Sequence, residues 1–195
     1  MATKPSEPPI LLLIDLQQGV VEGPPEIGPR SSPNLVENVK YLLQTWRSKS
    51  WPILHVNHDD IADDTNIINS KYPETFAFHS SSKPQDGEQV FTKHVGSPFV
   101  ATELPAVIES YGNRKIVVIG MDGGQCVNST VRHGSDLGFE MVVVADSCSS
   151  YGTEDWMNEG EMLSAEETHK FAMGLLAGYA TVTSTKNLWK ALGYE

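Results

Sequence analysis

The 195-residue chain is short of cysteine, of basic residues and of long apolar runs, and each shortage narrows what it can be. Its 2 cysteines are too few for the disulfide framework that staples small secreted domains. The two could still bridge, but a reducing compartment is the simpler expectation. Against 25 Asp and Glu there are only 14 Lys and Arg, a formal net charge of −11. Nucleic acid and anionic membrane surfaces need a basic patch, so neither is an expected partner. The longest early apolar run, Ile10 to Ile14, is stopped by Asp15. That is too short for the core of a signal peptide and far too short to span a bilayer. A cytoplasmic location is expected by default, although unconventional secretion leaves no mark in a sequence.

What is there has the composition of an ordinary globular domain, 39% hydrophobic and 20% charged. No repeat, low-complexity tract or second-domain boundary is visible. One domain over residues 1–195 is expected, with residues 1–9 as a loose, proline-containing leader. Short apolar runs, the mark of buried strands, fall at 10–14, 52–56, 90–92, 115–120, 140–146 and 180–183. Helical spacing lies between them, clearest in Leu35, Val39, Leu42, Leu43 and Trp46 after Pro33. Further helices are expected around 104–108, 127–137, 165–177 and 187–192. Residues 59–88 show no sustained period and read as a long loop with room for one short helix. Alternating strands and helices imply an α/β fold, a mostly parallel six-stranded sheet with helices on both faces.

Ligands of such sheets bind outside the carboxyl ends of the strands. Three reactive side chains fall there: Asp15 after the first strand, Lys93 closing the third, and Cys126 at the start of the helix after the fourth. Each has an ordinary explanation alone, as a cap, a solvated lysine or a small buried hydrophobe. Together on one sheet edge they make a chemical set. A thiol attacks carbonyls as the thiolate, which a helix N-terminus and a nearby ammonium both favour. Lowering of the Cys126 pKa is therefore expected, with Asp15 carrying the proton and Lys93 as the fixed positive charge. The glycine-rich stretch Gly120–Met121–Asp122–Gly123–Gly124–Gln125 before Cys126 can turn sharply and aim two backbone N–H groups at one oxyanion. Neither phosphate-loop spacing is present.

These residues resemble a known family. Leu11–Leu12–Leu13–Ile14–Asp15–Leu16–Gln17 looks like the opening strand of the isochorismatase-like cysteine hydrolases. Lys93, Ser97–Pro98–Phe99, Thr102 and Leu104 resemble the family's lysine segment, and Val117 to Gly120 with Cys126–Val127, Thr130, Gly138 and Asp146 its nucleophile segment. The resemblance implies a three-layer α/β/α, Rossmann-like domain, usually a homo-oligomer, with Asp15, Lys93 and Cys126 as the catalytic trio. It also implies a cis peptide at Met121–Asp122 and an oxyanion hole made of the Asp122 and Cys126 amides. Gln17 and Phe99 are carried over as pocket-lining positions, although Phe99 could be ordinary core. His58 ends the second strand on the same edge, as a substrate contact or an idle loop histidine.

The nicotinamidases among these relatives bind a metal through an Asp-x-His pair after strand two. This chain has His55–Val56–Asn57–His58–Asp59–Asp60 there and no such pair, so no metal and no cofactor is expected. His58, Asp59, Asp60 and His79 are the residues that could be recruited if one were bound. Tyr151 and Trp156 lie in a loop that could cap the pocket, and Cys148 is expected to be buried and inert. The expected activity is hydrolysis of a small, possibly cyclic, amide through a Cys126 thioester. The alternative is isochorismatase itself, vinyl-ether hydrolysis to 2,3-dihydro-2,3-dihydroxybenzoate and pyruvate, which needs an acid but no nucleophile. A third reading is a non-catalytic interaction protein on the same fold.

Overall fold

The computed structural model describes residues 7–112 and 115–193. Residues 1–6 of the expected leader lie outside the described residues. The strands are β1 (Ile10–Ile14), β2 (Ile53–His58), β3 (Gln89–Lys93), β4 (Lys115–Gly120), β5 (Glu140–Cys148), the short β6 (Thr153–Glu154) and β7 (Met162–Leu163), and β8 (Thr181–Thr183). The helices are α1 (Gln18–Glu22), α2 (Leu35–Ser48), α3 (Pro73–Phe76), α4 (Leu104–Ser110), α5 (Cys126–Asp136), α6 (Ala165–Leu176) and α7 (Thr185–Ala191).

Six strands form one sheet in the order β3-β2-β1-β4-β5-β8, and every neighbouring pair is parallel. The expected sheet is thus present and wholly parallel. Alternation along β1 sorts its apolar side chains onto two faces. Ile10, Leu12 and Ile14 join a core with residues of α4, α5 and α6, while Leu11 and Leu13 join another with residues of α2 and α7. Both faces are covered, which is why these strands read as unbroken apolar runs. Trp46 anchors the second core, its indole N–H donating to Pro9 O at 2.9 Å and its ring against Trp51 and Trp189.

Chain order reverses direction between β1 and β4. The chain first builds outward through β2 and β3, then crosses back to lay β4 on the other side of β1. The carboxyl ends of β1 and β4 therefore diverge into a crevice, where doubly wound sheets bind ligands. The long 59–88 segment supplies only α3 and irregular turns, as the lack of period suggested. The β6–β7 hairpin and α1 are too short to leave a periodic trace in the sequence. Among the described residues no helix is long and apolar enough to cross a membrane.

Candidate active site

The crevice collects the three reactive residues. Asp15 follows β1 in the left-handed backbone region, φ 51°, which Asp tolerates better than most side chains, and it is 2% exposed. Parallel pairing puts His58 of β2 beside Lys93 of β3, and Lys93 is wholly buried. Its Nζ lies 2.8 Å from Asp15 Oδ2, donates to Cys126 Sγ at 3.1 Å, and donates to Val95 O at 3.1 Å. A buried ammonium requires such partners, since desolvation otherwise disfavours its charge. Cys126 is half-buried at the first turn of α5, and His58 Nδ1 is 4.0 Å from its sulfur.

The turn into α5 is tightly specified. Gly120 has φ 137°, and a Cβ there would stand 2.0 Å from Ile14 O, so only glycine fits. Met121–Asp122 is a cis peptide, as the family resemblance implies. The Asp122 carboxylate braces the turn, accepting from Gly124 N–H at 2.7 Å and from Tyr151 N–H at 2.9 Å. Its carbonyl accepts from Gln125 and Val127. Among the described residues, the Asp122 and Cys126 amides donate to no protein acceptor, leaving two N–H groups for a ligand oxygen.

Protonation in the trio differs from the sequence expectation. Burial and the Asp15 carboxylate push the Cys126 thiol up to about 12, more than Lys93 lowers it. Burial likewise raises Asp15, against the opposing pull of Lys93. The physical reason is a charge count. One ammonium in a dry site supports one anion, either the carboxylate or the thiolate, so the pair holds a single proton between them. With the thiol raised to about 12, Cys126 rests as a thiol beside Asp15.

A cleft of about 280 Å³ opens on Cys126. Asp15, His58, Asp122 and Tyr151 line it, with an apolar wall of Val20, Ile27, Ile67, Ile68 and Met121. A larger groove of about 860 Å³, bounded by Asn38, Tyr41 and Trp189, includes none of Asp15, Lys93 and Cys126 in its lining. Asp60, expected only as a donor that a metal could recruit, lines the cleft with Asn66, and nothing in the spacing of this loop pointed to a pocket. Burial of their unpatterned loop against the sheet edge is a tertiary fact.

Two expected pocket residues lie elsewhere. Gln17 is fully buried, its amide donating to His58 O at 3.1 Å and Phe76 O at 3.0 Å and accepting from His58 N–H at 2.8 Å. It ties β2 to the loop, and no polar atom remains for a substrate. Phe99 is 7% exposed and stacks in the core on Phe139 and His133. Trp156 is 89% exposed and caps nothing, whereas Tyr151 lines the cleft. Both cysteines are free thiols, and Cys148 is buried in the core.

The donors named for a metal do not converge. His79 is engaged by Ser81 and Glu22, Asp59 accepts from Ser70 N–H, and Asp60 accepts from Asn66. Asp15, His58 and Cys126 do offer ligand atoms within 4.8 Å of one another. The Lys93 ammonium, however, sits against two of those three donors, and a divalent cation would have to expel it. The arrangement suits proton transfer better than metal binding.

The parallel sheet thus carries a half-buried cysteine, a carboxylate and a buried lysine together at its switch point. Residues 9–186 match the model of the Isochorismatase domain, and the chain belongs to that family and is a hydrolase of it. A crystal structure of an isochorismatase-family member from Chromobacterium violaceum superposes with a TM-score of 0.89 at 32% identity, covering 99% of this chain and 98% of that one. The secreted isochorismatase effector Isc1 of Verticillium dahliae is 31% identical over 147 residues, 75% of each chain. The ureidoacrylate amidohydrolase RutB of Serratia proteamaculans is 35% identical over 72 residues, 37% of this chain and 29% of that protein.

Proposed function

We propose that this hydrolase is a metal-independent cysteine enzyme that cleaves the C–N bond of a small amide, cyclic amides included, through a Cys126 thioester. One observation carries the reading: the Lys93 ammonium touches both the Asp15 carboxylate and the Cys126 thiol, and those two residues line one cleft. Cys126 Sγ attacks the amide carbon as its proton passes to Asp15. The carbonyl electrons move onto oxygen, and the Asp122 and Cys126 N–H groups receive that oxyanion. Collapse breaks the C–N bond, and Asp15 returns the proton to the leaving nitrogen. Water, deprotonated by Asp15, then attacks the thioester. The carboxylic product leaves as Cys126 regains a proton from Asp15. Throughout, Lys93 balances the one negative charge, which moves between carboxylate, thiolate and oxyanion. The partial match to an amidohydrolase supports this chemistry.

The second reading is vinyl-ether hydrolysis, favoured by the relative named an isochorismatase effector. That reaction protonates an enol carbon and needs no nucleophile, so Cys126 would be idle in it. Cys126→Ala, assayed on a panel of small amides and on isochorismate with products identified by mass, separates the two. Loss of amide turnover by about 1,000-fold or more is expected. Retention of substantial turnover would overturn the thioester reading.

A further inference from the structure

The charge of the cleft says which small molecules can reach Cys126. Among the described residues, no Lys or Arg lines it; Lys93 is not among its lining residues and is paired with Asp15. Arg30, whose charge is felt at the cleft-lining Tyr151, does not itself line the cleft and donates to the carbonyls of Val21, Ser31 and Ser32. Burial and the Lys93 charge lower the His58 pKa and so disfavour its cationic form. The Asp122 carboxylate is consumed by two backbone N–H groups. Asp60 remains. Its carboxylate lines the cleft, among the described residues it pairs with no Lys or Arg, and its one side-chain partner is the Asn66 amide at 2.8 Å.

We propose that Asp60 sets the charge preference of the site, admitting neutral and cationic small amides and rejecting substrates that carry a carboxylate. This rests on the reading of Cys126 as the nucleophile. A bound carboxylate would lose its hydration next to Asp60 with no ammonium or guanidinium in return, and unpaired desolvated charge is costly. An amine or amide N–H could instead donate to Asp60, with the rest of the molecule against Ile67, Ile68 and Met121. At about 280 Å³ the cleft lies at the small end of ligand pockets, so the charge at its rim is never far from the reacting atom. Isochorismate, which carries two carboxylates, is the wrong chemical class for this cleft.

Thiol-directed probes test this without knowledge of the substrate. The chain is treated with three methanethiosulfonates that transfer an aminoethyl, a methyl or a sulfonatoethyl thio group, and peptide mass mapping follows modification of Cys126. Each rate is divided by that of a neutral model thiol with the same reagent. The aminoethyl reagent is expected to exceed the sulfonatoethyl reagent by on the order of tenfold or more in the native chain, a like-charge effect in a focused cleft. Asp60→Asn should narrow that ratio toward one, with the methyl reagent little changed. Equal normalised rates in the native chain, or an undiminished ratio in Asp60→Asn with an unchanged melting temperature, overturn the charge preference alone. Failure of all three reagents to modify Cys126 overturns the nucleophile reading and the preference with it.

Discussion

Lys93 Nζ stands 2.8 Å from Asp15 Oδ2 in a site where Lys93 is wholly buried and Asp15 nearly so. Removing one partner strands the other charge away from water. Lys93→Met is therefore expected to cost about 3–5 kcal/mol of stability and all turnover. Lys93→Met with Asp15→Asn should recover most of the stability and none of the activity. Denaturant melts and turnover assays read the two effects separately.

The shared proton gives Cys126 an unusual pH profile. A free thiol alkylates tenfold faster per pH unit until about 8.5. Here the population of thiolate beside protonated Asp15 is constant while the pair holds one proton, a window bounded above by the thiol's rise to about 12 and below by Asp15. Iodoacetamide alkylation of Cys126 is expected to stay nearly flat through neutral pH, whereas Asp15→Asn, which removes the anion that competes with the thiolate for Lys93 and raises the thiol, should alkylate faster there by about tenfold or more.

Gln17, expected to line the pocket, is a structural tie. Gln17→Leu removes three hydrogen bonds and leaves His58 N–H and two carbonyls unanswered. A loss of about 2–4 kcal/mol in stability is expected, read by chemical denaturation. The variant should retain an intact thiol, so Cys126 alkylation at low temperature persists.

Glu88 couples the edge strand to α2. Burial would raise its pKa, but Arg47, the Gln85 N–H and His55 outweigh that and lower it to about 2. A carboxylate depressed from 4.5 contributes stability that is complete above 4.5 and is lost as pH falls toward about 2. Native chain and Glu88→Gln should thus differ in melting temperature at neutral pH and converge as the medium is acidified through that range.

The sheet was legible in the sequence because strands buried on both faces write themselves as apolar runs, and Ile10–Ile14 and Lys115–Gly120 are such runs. Asp15, Lys93 and Cys126 were legible because they sit at strand and helix ends, which periodicity locates. Asp60 and Asn66 were not, since the 59–88 loop is fixed by tertiary contacts such as the Asn69 bond to Asp60 O. The misplacement of Gln17 has the same origin: a residue beside the active site in sequence can spend its polar atoms on the scaffold. The thiol's upward pKa was hidden because burial is invisible in a motif.

The thioester itself is the most direct test. The native chain, mixed with a small amide that it turns over and quenched in acid within the first turnovers, should show by mass a species heavier by the acyl group. Peptide mapping should place that mass on Cys126, and neither Asp15→Asn, which lacks the acid for the leaving nitrogen, nor Cys126→Ala should show it. Full turnover with no acyl adduct at any quench time, together with an active Cys126→Ala variant, would contradict covalent catalysis by this cysteine.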